Sequence, residues 1–100
     1  MTARERLAEQ QAELVRALLA GGAVPAGFNP TRVRIQADAL HAKRRRVAER
    51  LSPDLADTLG DQLAELFDRW AATHPRRAGV GFREDLRSFA AWLAEHGHLP

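Results

Sequence analysis

The chain of 100 residues contains no cysteine and no tyrosine. Without cysteine it can form neither a disulfide framework nor a thiolate metal site. Serine occurs only at Ser52 and Ser88, which leaves few candidates for a nucleophile. No apolar run approaches the ~20 residues of a membrane span, and no signal-peptide core is visible, so a cytoplasmic location is expected. Aromatic residues make up only 6% of the chain, so each one carries a large share of any core. What is abundant is alanine, leucine and arginine. Hydrophobic residues are 45% and charged residues 28%, a globular rather than a disordered composition. The length predicts one domain, residues 1–100, with a thin interior.

Lysine is nearly missing as well. Lys43 is the single lysine among fifteen bases, the rest being arginine, which remains charged far above neutral pH. The net charge is only +2, but it is unevenly spread. Residues 30–51 carry Arg32, Arg34, Lys43, Arg44, Arg45, Arg46 and Arg50 against Asp38 and Glu49, a balance of +5. Residues 52–74 carry Asp54, Asp57, Asp61, Glu65 and Asp68 against Arg69, a balance of −4. Two readings follow: neighbouring helices that neutralise one another, or a basic face offered to a partner.

No segment alternates as a strand does. Apolar residues recur instead at steps of three and four, which predicts an all-α chain, a compact bundle of four to five helices. The first helix runs from residue 3 to 20 on Leu7, Leu14, Val15, Leu18 and Leu19, and Gly21-Gly22 stops it. Asn29-Pro30 opens the second with a cap and a first-turn proline, and its stripe is Val33, Ala37, Leu40, Val47 and Leu51. Ser52-Pro53 repeats that device for a short third helix ending near Gly60. A fourth carries Leu63, Leu66, Phe67 and Trp70 and stops at His74-Pro75. The last spans about Phe82 to His96 on Leu86, Phe89 and Leu93.

Catalytic chemistry finds no foothold. Ser52 is used as a cap, Ser88 has no nearby histidine in sequence, and the carboxylate pairs Asp54/Asp57 and Glu84/Asp85 lie in a thin, open domain that gives acid catalysis no support. His41, His74, His96 and His98 offer no pair on one helical face, so no metal site and no cofactor is expected. The expectation is a non-enzymatic binding protein. Lys43, Arg44, Arg45 and Trp92 are its candidate partner-binding residues. At 100° per residue Arg44 lies about 20° from the line through Val33 and Leu51, within the apolar stripe. It would snorkel at an edge, pair with a carboxylate of the acidic third or fourth helix, or bind a partner's carboxylate. Trp92 lies about 80° off the stripe of the last helix, as an interface anchor or as a flank residue packed on the first helix. Nucleic acid is disfavoured, because the tight turn at Ser52 leads into an acidic helix that phosphates would repel. A small helical nucleic-acid-binding or regulatory protein remains the alternative.

The stretch Val24-Pro25-Ala26-Gly27-Phe28-Asn29-Pro30, with Ala39-Leu40-His41-Ala42-Lys43-Arg44 and Val47-Ala48, resembles a helical accessory domain. That domain is fused to, or encoded beside, multinuclear non-heme iron-dependent oxidases. Leu59-Gly60-Asp61 through Trp70 to His74-Pro75, then Phe82-Arg83 to Phe89-Ala90-Ala91-Trp92-Leu93, resembles the amino-terminal domain of bufferin-type maturation partner proteins. The resemblance covers roughly residues 7–96. It implies a non-catalytic accessory subunit that docks on the iron oxidase and assists modification of a ribosomally made precursor peptide. The second domain of the larger partner proteins has no counterpart here, which favours docking on the enzyme over direct recognition of a leader peptide.

Overall fold

The computed structural model describes residues 1–100 and contains five helices and no strand: α1 (Ala3–Ala20), α2 (Pro30–Leu51), α3 (Pro53–Leu59), α4 (Gln62–Thr73) and α5 (Phe82–Glu95). None of these helices is long and apolar enough to cross a membrane. By its contacts the chain divides into two units, residues 1–42 and 43–100, and the boundary falls inside α2.

In the first unit, local chemistry sets the helix ends. The Thr2 hydroxyl accepts from the Glu5 amide at 3.1 Å, and Glu5 sits in the first turn, where a negative charge suits the helix dipole. Gly21 closes α1 at φ +67°, a left-handed conformation that costs glycine nothing, and the Gly22 amide donates to the Arg16 carbonyl at 3.1 Å. Asn29 Oδ1 accepts from the Arg32 amide at 3.1 Å to start α2. Only small side chains are buried here: Ala17, Pro25 and Val33. Leu7 (55% exposed), Val15 (40%) and Leu40 (37%) belong to the expected apolar stripes, yet they stand in solvent. The periodicity correctly gave the helices, but it overstated how much of α1 is covered.

The second unit holds the aromatic core. Ala48, Leu59, Leu63, Leu66, Phe67, Trp70, Phe89 and Leu93 form one buried cluster, with Leu55, Leu86 and Leu99 packed against it. Ser52 Oγ accepts from the Leu55 amide at 3.4 Å, so the second helix ends and the third begins at a single residue. Gly60, at φ +53°, separates α3 from α4 and lets the two pack closely. α4 then packs on α5. Three rings meet at that contact: Phe67 and Phe89 edge to face at 5.2 Å, and Trp70 tilted against each at 5.4 and 5.2 Å. Such pairs add about 0.5–1.5 kcal/mol each beyond the area they bury.

Phe89 is 0% exposed and touches both other rings. Phe89→Ala should cost about 3–5 kcal/mol in urea unfolding, whereas Leu7→Ala should change stability by less than about 0.5 kcal/mol. Equal losses for the two would contradict the burial pattern.

Candidate functional site

Arg44 lies one turn before Ala48, so a helix that buries Ala48 carries Arg44 to the same face. It is 6% exposed. A guanidinium taken out of water needs its charge matched and its N–H groups satisfied. Both needs are met within the chain. Nε donates to Asp85 Oδ2 at 2.6 Å, and Nη2 donates to Asp85 Oδ1 at 2.7 Å, a bidentate pair. Nη2 also donates to the His74 carbonyl at 2.9 Å, satisfying a carbonyl that the end of α4 would leave without a partner. The guanidinium lies 4.6 Å from the centre of the Trp70 ring and 5.6 Å from that of Phe67, within cation–π range.

The carboxylate partner comes from α5, not from the acidic third or fourth helix as charge counting suggested. Asp85 is 8% exposed and sits in the first turn of α5, where the helix dipole favours it. The sequence carried at most a faint signal for this. Asp85 falls about 40° beyond Phe89 on the helical wheel, at the margin of the apolar stripe and not at its centre as Arg44 is.

His74 ends α4. Its ring stacks on Trp70 at 5.3 Å and 13°, and Nδ1 lies 2.8 Å from the Trp70 carbonyl. A carbonyl can only accept, so Nδ1 carries the proton in that bond. The Trp70 Nε1–H is buried and no protein group accepts from it. A cavity of about 270 Å³ opens beside these residues, with Arg44, Trp70, His74, Arg76, Arg77 and Ser88 on its wall. Arg76 is held over the Phe82 ring at 3.9 Å and donates to the Val80 carbonyl at 3.2 Å. The fold therefore does bring a histidine and a serine to one cavity, which their distance in sequence concealed. Asp85, however, is turned to Arg44, so it is not free to act as a base or to orient His74 against Ser88. No group of three or more His, Asp or Glu side chains is placed to hold a metal ion.

The remaining candidates lie at the surface. Lys43 is exposed. Arg45 Nη1 lies 3.3 Å from Asp68 Oδ1, with the two side chains 30% and 52% exposed, a pair worth about 0–1 kcal/mol. Trp92 is half-buried and packs against the core of the second unit. Its ring stacks with His96 at 4.6 Å, His98 at 5.6 Å and Phe89 at 6.4 Å, and the Arg69 guanidinium lies 6.0 Å from its centre. Its neighbours thus include the C-terminal tail of its own helix. Lys43, Arg44 and Arg45 share one helix, and of the three only Arg44 is linked to Trp92, through Trp70 and Phe89.

Residues 8–95 match the family described as SCO6045-like, C-terminal domain, and the chain belongs to that family. A UPF0276 protein of Streptomyces avermitilis is 42% identical over 91 residues, which are 91% of this chain but 18% of the relative. The chain thus spans about a fifth of the length of that curated relative. No solved structure matches it.

Removing Arg44 would leave the Asp85 carboxylate buried and unpaired. Arg44→Ala should therefore cost about 3–5 kcal/mol, seen as a large fall in the urea midpoint, while Arg45→Ala should cost less than about 1 kcal/mol. If Arg44→Ala melts like the parent, the pair does not hold the second unit together.

Proposed function

We propose that this chain is a non-catalytic accessory subunit that docks on a multinuclear non-heme iron oxidase and assists modification of a ribosomally made precursor peptide. The observation that carries this reading is the relationship of lengths. In the Streptomyces relative the same domain accounts for 18% of a much longer protein, so it is attached there to a body several times its size. A domain attached to such a body is suited to work against it. The oxidase as that body follows from the resemblance of residues 7–96 to accessory domains of iron oxidases.

The side-chain arrangement supports a binding role over a catalytic one. The two buried charges, Arg44 and Asp85, neutralise each other, and Ser52 caps a helix. Nothing buried is left poised as an acid, base or nucleophile. In this reading the oxidase supplies the irons and the redox chemistry, and this chain supplies surface.

The protein expressed together with an iron oxidase of the same organism should co-purify with it at equal stoichiometry, and alone should hold no stoichiometric iron by elemental analysis. Stoichiometric iron on the isolated chain would overturn the proposal. Binding to duplex DNA should be weak at physiological salt. Tight binding with a log–log salt slope of several units would point to phosphate contacts and to a nucleic-acid function.

A further inference from the structure

We propose that the cavity beside Trp70 is a binding site for a carboxylate group, carried by a small acid or by the end of a peptide. The site stands independently of the iron-oxidase reading, and every residue of its wall lies in the second unit. It is first visible as an incomplete set of hydrogen bonds. A guanidinium has five N–H groups, and the three hydrogen bonds of Arg44 use Nε and Nη2 alone. Both N–H groups of Nη1 are left over. Among side chains that are not exposed, Trp70 Nε1 is the one nitrogen or oxygen both sealed from solvent and without a partner. Arg44 Nη1 is therefore unpaired and still reachable from outside, although its residue is 94% buried in the sense that 6% is exposed. The two groups that hold the guanidinium, Asp85 and His74, line the cavity together with Arg44 itself, which assigns its open side to that cavity. A buried donor with room beside it and no acceptor in its own chain calls for an acceptor from elsewhere.

Charge selects the kind of acceptor. On the wall Arg44, Arg76 and Arg77 stand against Glu84 and Asp85, which leaves one positive charge with the histidine neutral. Asp85 is already matched by Arg44, so it offers nothing to a cation. One net charge suits a monoanion. A phosphate dianion would exceed it and would meet two carboxylates of like sign. The planar oxygens of a carboxylate also match the in-plane N–H groups of a guanidinium.

The rest of the wall is built to the same end. Arg76 lies over the Phe82 ring and donates to the Val80 carbonyl, so its charge is held in place before any ligand arrives. The Arg77 side chain is exposed and has no partner within the chain, which leaves it able to close over an anion. Ser88 adds a hydroxyl donor. At about 270 Å³ the cavity is smaller than the roughly 300–1,000 Å³ of pockets that enclose a drug-sized ligand. It has room for one carboxylate-bearing group, not for a nucleotide or a large cofactor.

The test titrates the full, isotope-labelled chain with acetate, N-acetylglycylglycine, the neutral amide of that dipeptide and inorganic phosphate. Trp70 and Trp92 are the two tryptophans, so NMR shows two indole N–H signals. Trp70 borders the cavity and Trp92 does not, which makes Trp92 an internal reference. The acids should move the Trp70 signal saturably, with dissociation constants in roughly the millimolar range, and leave the Trp92 signal nearly still. The neutral amide should bind at least about tenfold more weakly than its acid. Arg77→Gln and Ser88→Ala replace exposed side chains, so both should melt like the parent, and Arg77→Gln should weaken the acids about fivefold. Acetate identifies the source of the carboxylate. Binding within about threefold of the dipeptide acid assigns the site to a free small acid, and weaker binding assigns it to a peptide end. No saturable movement with either acid, an amide that binds as well as its acid, or unchanged affinity in the Arg77→Gln, Ser88→Ala double variant would overturn the site. Phosphate that binds more tightly than both acids would overturn the choice of carboxylate.

Discussion

The second unit depends on keeping one guanidinium out of water. Arg44 reaches Asp85 on α5, the carbonyl of the His74 cap that closes α4, and the faces of Trp70 and Phe67, so one side chain from α2 ties three helices together. The desolvation of two buried charges is expensive, and the bidentate geometry, the third hydrogen bond and the aromatic faces offset it. Net stability from such a pair is small, but each partner depends heavily on the other. An apolar pair could stabilise the same space without specifying it, whereas two parallel N–H···O bonds fix both the rotation of α2 and the position of α5.

That arrangement explains why the most basic segment is not simply a basic face. Of the four consecutive cations from Lys43 to Arg46, Arg44 points into the core and Arg45 reaches Asp68 on α4. The −4 balance of residues 52–74 and the +5 balance of residues 30–51 are partly spent on each other, as neighbouring helices of opposite charge tend to be. On the first unit, which buries least, Leu7 and Val15 of α1 stand in solvent.

Helix existence and ends were legible because punctuation chemistry is local: Gly21 in the left-handed region, Asn29 and Ser52 as caps, and proline just inside α2 and α3. Burial was legible only where the helices pack. Phe67, Trp70, Phe89 and Leu93 behave as their spacing demands, but Leu7 and Leu40 share the same periodicity and stay exposed. Periodicity marks the side of a helix that wants cover, without telling whether the cover comes from the same chain. The position of Arg44 in an apolar stripe was readable; its partner was not, because pairing by net charge favoured α3 and α4. Asp85 lies at the margin of the α5 stripe, where periodicity alone does not single it out as the partner. The convergence of His74 and Ser88 on one cavity depends on tertiary geometry that no spacing encodes.

The central claim, that the buried arginine is spent on holding the fold, is tested most directly by a double-mutant cycle on Arg44→Met and Asp85→Leu, followed by urea unfolding. The account predicts that each single variant loses several kcal/mol, and that the double variant recovers much of it, because neither charge is then left buried alone. The coupling energy should reach about 2 kcal/mol or more. Additive losses, with a coupling below about 0.5 kcal/mol, would contradict the account, because they would mean that Arg44 and Asp85 do not depend on each other.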